Sequence, residues 1–338
     1  MLISVIIPCR NEAPFIGATI DALFSCTLPE QARIKVHVVD GMSDDGTRDV
    51  IREKQAVYPN LFLVDNEQQL TPFAFNLGIF ADKQAAYYQI VGARHVVSIN
   101  YLMRCIDILE NDSTIWCVGG KINNVFVNET GRVIAKAMST SFGMGLGNFR
   151  TLEESGFTDT VTSPMYPNWV FDKIGYFDEE LIRNQDDDFN YRVKKAGGKI
   201  YYCHEIHLDY FVRGNKAQLW KQFMQYGYWK VFVNKKHQAI TTLRQLVPPA
   251  FVFFLCILPL FLVFLPRIGM IGLMALGLYV SLALFVAARI AESMKEWIQL
   301  LQIFPMLHVS YGWGYLKGMV RFLILNKPPK ESSKSLSR

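Results

Sequence analysis

The run Ile3-Ser4-Val5-Ile6-Ile7-Pro8-Cys9-Arg10-Asn11-Glu12 decides the fold: an uncharged, β-branched stretch breaks abruptly into a polar turn. That is a strand delivering a loop. The pattern returns at Lys35 to Val39, followed by Asp40-Gly41-Met42-Ser43-Asp44-Asp45-Gly46-Thr47, and at Tyr87 to Val91, followed by Gly92-Ala93-Arg94-His95. Leu61 to Val64 and Ile115 to Val118 read as further strands, with amphipathic helical stretches in the gaps. Strands separated by helices build an α/β fold around a mostly parallel, doubly wound sheet. Ligands of such sheets sit outside the carboxyl ends of the strands, so the three polar loops are expected along one rim. Residues 123–163, rich in Gly, Ser, Thr and Asn and including Gly143-Met144-Gly145-Leu146-Gly147, read as extended connections.

The 338 residues suffice for one large domain and an appendage. A mean hydropathy of +0.15 is high for a soluble enzyme and comes from the C-terminal part. The formal charge of +5, from 35 Lys and Arg against 30 Asp and Glu, is too dispersed for a nucleic-acid binder and suits a membrane surface better. The six cysteines, Cys9, Cys26, Cys105, Cys117, Cys203 and Cys256, form no zinc-type or disulfide pattern, which fits a reducing compartment. No cleavable signal peptide is expected, because Leu2 to Ile7 is too short and runs into Arg10 and Glu12.

Leu246 to Leu265 holds twenty uncharged residues and Ile268 to Ala288 another twenty-one, each able to cross a hydrocarbon core of about 30 Å as a helix. Only Pro266 and Arg267 separate them, so the pair reads as a transmembrane hairpin. Trp297 to Leu325 is interrupted by Gln299, Gln302, Pro305, His308, Gly312, Gly314, Lys317 and Arg321 and reads as interfacial. The tail with Lys327, Lys330, Lys334 and Arg338 is basic and expected on the cytoplasmic side. The domain reading is therefore 1–240 α/β domain, 241–326 membrane region and 327–338 tail. The location expected is the inner membrane, with the first domain on its cytoplasmic face.

Asp40 ends a strand and is placed to meet a ribose or base; equally, Ser43 or Asp44 caps an ordinary turn ahead of a helix at Thr47. Arg10-Asn11-Glu12 carries the same two readings. The densest signal is Asn184-Gln185-Asp186-Asp187-Asp188-Phe189-Asn190-Tyr191-Arg192, with Asp178-Glu179-Glu180 just before it. Three adjacent carboxylates either mark a site or favour a helix N-terminus, with Arg192 pairing Asp188 at i+4. Downstream, Arg213, Gln222 and Lys230 lie in an aromatic, basic stretch that suits either an interfacial helix or phosphate binding.

In their order and spacing these residues resemble the family 2 inverting glycosyltransferases of the GT-A fold, particularly the bacterial branch of succinoglycan-type glucosyltransferases. The carriers are Val5 to Glu12, Val39 to Thr47, Thr71-Pro72 with Asn76-Leu77-Gly78-Ile79, Gly175-Tyr176-Phe177-Asp178-Glu179, and Asn184 to Arg192. The resemblance implies that Pro8, Arg10, Asn11, Glu12, Asp40, Ser43, Asp45 and Arg94 bind a nucleotide-sugar, usually a UDP-sugar. It implies Asp186 as general base, supported by Gln185, Asp188 and Arg192, with Arg213, Gln222 and Lys230 near the diphosphate. The partners implied are a lipid-linked saccharide acceptor, the membrane and other proteins of surface polysaccharide assembly.

One position departs from the family. A divalent cation, Mg²⁺ or Mn²⁺, is normally held by an Asp after the fourth strand, and Gly92 stands there. Three readings stay open: Arg94 clamps the diphosphate in the cation's place, His95 ligates a metal, or the chain is a catalytically silent nucleotide-sugar-binding partner. A polyprenyl-phosphate sugar synthase is the alternative enzyme.

Overall fold

A computed structural model describes residues 1–126, 128–145, 150, 152–212 and 214–329. Arg213, Leu146 and Gly147, and the tail from Lys330 to Arg338, lie outside the described residues. The chain runs β1 (Leu2–Cys9), α1 (Ala13–Phe24), β2 (Arg33–Asp40), α2 (Thr47–Val57), β3 (Leu61–Asp65), α3 (Thr71–Phe80), β4 (Tyr87–Ile90) and β5 (His95–Val97). It continues through α4 (Tyr101–Asn111), β6 (Ile115–Phe126), α5 (Glu129–Met138), α6 (Ser141–Met144), β7 (Gly156–Phe157), β8 (Thr162–Pro167), α7 (Asn168–Ile174) and α8 (Gln185–Lys195). β9 (Lys199–Val212), α9 (Lys216–His237), α10 (Val247–Phe264), α11 (Pro266–Ile290) and α12 (Met294–Gly318) complete it.

The chain divides into two compact units, residues 1–125 with 147–211 and residues 126–146 with 212–338. The first holds a sheet of order β3-β2-β1-β4-β8-β6-β9-β5, with β7 beside β9. The first four strands in that order are parallel, and β8 joins β4 antiparallel. Uncharged runs such as Ile3, Val5, Ile6 and Ile7 are fully buried because helices cover both faces. Gly78 lets α3 lie on β1: a Cβ there would fall 2.5 Å from the Ile6 side chain. The register places Cys9 opposite Asp40 and Asp40 opposite Asp65, so parallel strands deliver their loops to one edge.

Two expectations meet a different structure. Residues 123–163 are not mainly extended: β6 runs to Phe126, and α5 and α6 follow. Asn128 caps α5 by accepting from Gly131 N, and Thr140 caps α6 from Gly143 N, so residues that read as loop formers are helix starts. The boundary at residue 240 is also drawn differently. The apolar face of α5 (Val133, Ile134, Ala137) joins a cluster with Phe223 of α9 and Leu300, Phe304 and Leu307 of α12, which places both α5 and α9 in the second unit.

Within the second unit, the runs read as a hairpin form helices Leu243–Phe264 and Pro266–Ile290, both long and apolar enough to cross a membrane. They meet at Leu265, and Gly269 seats against the backbone of Leu262. Phe253, Leu260, Phe264, Ile271, Met274, Leu278 and Phe285 are exposed, an apolar surface far beyond what a water-facing helix pair carries. α12 is one 25-residue helix, and its glycines are contact points. A Cβ at Gly314 would lie 2.0 Å from Met224 O, and one at Gly227 2.0 Å from Tyr311 O, so α9 and α12 touch backbone to backbone.

Candidate active site

The loops after β1 and β2 are a single hydrogen-bonded body. Asn11 adopts φ 54° and donates its backbone N–H to Ser43 Oγ (2.8 Å) and its side-chain amide to Asp44 Oδ1 (2.8 Å), while Asp44 N donates back to Asn11 Oδ1 (3.1 Å). Glu12 N donates to Thr47 Oγ1 (2.8 Å), and Ala13 N to Asp45 Oδ2 (3.2 Å). Burial opposes the charge on Asp45, but hydrogen bonds from the Thr47 hydroxyl and from the Thr47 and Ala13 amides outweigh it and hold its pKa below the usual carboxylate range. Pro8, paired with Val39, is the penultimate residue of β1 and has no backbone donor, and Arg10 packs over Gly41, where a Cβ would meet Arg10 Cδ at 3.3 Å.

Asp40 is fully buried at the base of this body. It accepts from Ser43 N (3.0 Å), from the Ser43 hydroxyl and from Arg48 Nη1 (2.9 Å); Arg48 also pairs with Asp65 (2.8 Å). Asp65 first and Asp40 next raise the Arg48 pKa by hydrogen bonding to the guanidinium. The Arg48–Asp65 partnership is absent from the sequence reading above. Its signal is two strands that end in Asp, in register, with Arg in the first turn of the helix between them.

The third loop joins the same edge. Arg94 Nε donates to the buried carboxylate of Glu12 (2.6 Å), and its guanidinium lies 4.2 Å over the Phe15 ring. His95 Nδ1 takes the Gly92 backbone N–H (3.3 Å) and lies 2.8 Å from Ser163 Oγ. An amide N–H only donates, so Nδ1 is the acceptor and the neutral ring carries its proton on Nε2. Burial, then the charge of Arg150, push the imidazole down to about 4. Ser163 holds a left-handed φ of 42°, uncommon for a non-glycine residue, with its carbonyl accepting from Gln89 Nε2 (2.6 Å) and Tyr101 OH (3.0 Å).

The acidic triplet opens α8, after Asn184 in a left-handed conformation. Two of its three carboxylates are taken up by different partners. Asp188 is buried and accepts from Arg192 Nε (3.0 Å) and Nη2 (2.9 Å). Asp187 accepts from Asn184 Nδ2 (3.1 Å), and Asp186 is the exposed member. Arg192 also donates to the carbonyls of Ile174 (2.6 Å) and Tyr176 (2.8 Å), fastening α8 to the end of α7. The Gln185 side-chain oxygen is buried without a hydrogen-bond partner among the described residues. The preceding loop is fastened by Asn76 of α3, which donates to Phe177 O and Glu179 Oε1 (both 2.9 Å) and accepts from Phe177 N (3.0 Å). β8 relates the two places: Ser163 holds His95, and Tyr166, on the same strand, feels the charge of Asp186.

Gln222 and Lys230 lie on α9 in the second unit, where Gln222 donates to Tyr226 OH (2.7 Å) and Lys230 is buried. No group of three or more His, Cys, Asp and Glu gathers among the described residues in a way that would hold a metal. At Gly92, where the resemblance leads one to expect a carboxylate, the ring of His95 fills the space: a Cβ there would lie 2.9 Å from Cε1 and 3.2 Å from Nε2. The loop does not fit a carboxylate-held cation.

Residues 4–158 match the family described as Glycosyl transferase family 2. Over 328 residues the chain is 27% identical to the dolichyl N-acetyl-alpha-D-glucosaminyl phosphate 3-beta-D-2,3-diacetamido-2,3-dideoxy-beta-D-glucuronosyltransferase of Methanococcus voltae, covering 94% of this chain and 97% of that protein. Over 248 residues it is 27% identical to the succinoglycan biosynthesis protein ExoA of Rhizobium meliloti, covering 73% and 74%. Its fold is similar to that of the mannosyltransferase PcManGT of Pyrobaculum calidifontis, solved with GDP-Man and Mn²⁺, with a TM-score of 0.59 at 15% identity over 94% of this chain and 86% of that one.

Proposed function

We propose that this chain, a glycosyltransferase whose residues 4–158 match Glycosyl transferase family 2 and whose fold is GT-A-like, moves a sugar from a nucleotide-sugar to a lipid-linked saccharide at a membrane, with inversion, in surface polysaccharide assembly. The observation that carries the reading is the build of α8: Asp186 is exposed at the first turn of a helix whose other acidic residues are held by Asn184 and Arg192. A carboxylate presented on a rigid element suits a general base.

In this mechanism the interlocked loops of β1 and β2 hold the nucleoside, with Arg10, Asn11 and Ser43 at their surface and Asp40 beneath. An acceptor hydroxyl gives its proton to Asp186 as its oxygen attacks the anomeric carbon. The bond from that carbon to the diphosphate breaks on the opposite face, and the electron pair leaves with the nucleoside diphosphate. Asp188 and Arg192 act by orienting the helix rather than by touching substrate. A lipid acceptor accounts for the paired apolar helices, and the M. voltae relative is named for a dolichyl N-acetyl-alpha-D-glucosaminyl phosphate. The basic C-terminal tail favours an active site on the cytoplasmic face of the inner membrane.

Purified protein in detergent, offered a panel of UDP- and GDP-sugars with membrane lipid extract, tests the proposal by transfer of label into the organic phase. Labelled lipid from at least one donor is the expected result. Nucleotide-sugar binding without transfer from any donor would favour the silent partner.

A further inference from the structure

The Gly92 substitution is matched by a second one in space. The imidazole of His95 lies against the Gly92 α-carbon, with Cε1, Nδ1 and Nε2 at 2.9, 3.1 and 3.2 Å from where a Cβ would stand. A carboxylate at 92 therefore requires the imidazole of 95 to move. The ring is also not a spare ligand through Nδ1, because that atom accepts the Gly92 N–H and contacts Ser163 Oγ. Tyr210 packs edge-on against it at 5.2 Å, and β5 pairs with β9 at His95 and Tyr210, so the ring is held from several sides. What remains is one N–H at Nε2, rooted where the family's carboxylate would be.

We infer that this site handles the donor's diphosphate without a divalent cation, with the Nε2–H of His95 donating to it in place of the metal and Arg94 supplying the positive charge. The inference rests on the nucleotide-sugar reading above. It commits the loop to one chemistry: an anion met by hydrogen-bond donors and a fixed guanidinium instead of a metal bridge. Arg94 suits that part because only its Nε is used by Glu12; its other guanidinium nitrogens make no hydrogen bond among the described residues. A carboxylate-held cation is replaced by groups that need no loading.

Calorimetric binding of UDP and of GDP to the full chain in detergent, with EDTA or with Mn²⁺, tests this without relying on turnover. At least one nucleotide should bind with an affinity that changes less than twofold between EDTA and Mn²⁺. His95→Asn, whose amide ends at the depth of Nδ1, should weaken binding roughly tenfold, the scale of one hydrogen bond to a charged group. His95→Gln, whose amide nitrogen reaches the position of Nε2, should restore most of it, which a purely structural role for the ring does not anticipate. Binding seen only with Mn²⁺ overturns the inference and leaves the glycosyltransferase reading standing. Equal affinity of His95→Asn and the wild type also overturns it. Failure of both nucleotides to bind in either condition overturns the inference together with the nucleotide-sugar reading.

Discussion

The helix start at Asn184 to Arg192 and the loop at Gly92 to His95 sit on the same unit, and they meet the pattern expected from the sequence in opposite ways. In the first, the contacts among the acidic residues lie within a few positions: Asp188 with Arg192, and Asp187 with Asn184. In the second, the residue that matters most to Gly92 is one whose ring folds back over it and is held by Ser163, 68 positions away. A motif that stays intact in sequence reports its geometry directly. A motif that has lost its main residue reports only the loss, and the compensation becomes visible in space.

Substitutions at the two regions should therefore fail differently. The largest effect is expected from Asp186→Asn: turnover falls by roughly 10²- to 10⁴-fold, the range for a lost general base. Asp188→Ala should act on stability. It removes the acceptor of a guanidinium that is 21% exposed and costs about 2–3 kcal/mol, read as a lower urea midpoint at an unchanged slope. Gly92→Asp, the obvious way to restore a family carboxylate, should instead destabilise by about 1–3 kcal/mol through overpacking against the His95 ring. Adding His95→Ala should recover most of that loss, and independent additive costs in the double variant would show that the ring and position 92 do not compete.

The smallest effect concerns pH. The folded His95 titrates near 4, below the 6.5 of an exposed imidazole, because burial and then Arg150 oppose its charge. Between those values the unfolded chain binds a proton that the folded chain refuses. Stability from the neutral ring is thus complete above 6.5 and declines as pH falls toward 4, by on the order of 1 kcal/mol for this partly exposed group. Urea midpoints at pH 7 and pH 4.5 measure it, and His95→Gln should narrow the difference.

Much of the fold was legible in the sequence because its signals are periodic. Five short, mostly β-branched or apolar runs became strands, and two charge-free stretches became the long apolar helices. α5 and α6 were not, since their Asn128 and Thr140 caps are the same residue types that make loops and their apolar faces are short. The candidate site divides the same way. Asp40, Glu12 and Asp186 stand out as polar residues at the ends of strands or the start of a helix. The Arg48 bridge to Asp65, the left-handed Ser163 and the ring over Gly92 depend on which strands lie side by side. Asn76 belongs to the family pattern, yet its hydrogen bonds give it a structural part, fastening the loop ahead of α8.

The central claim is that Asp186 is the base of a glycosyl transfer, and the most direct measurement sets donor affinity beside single-turnover rate for the wild type and Asp186→Asn, using a nucleotide-sugar that the wild type turns over. The account expects equal affinity for the donor and a rate lowered at least a hundredfold. An Asp186→Asn protein that binds the donor and transfers its sugar as fast as the wild type would contradict it.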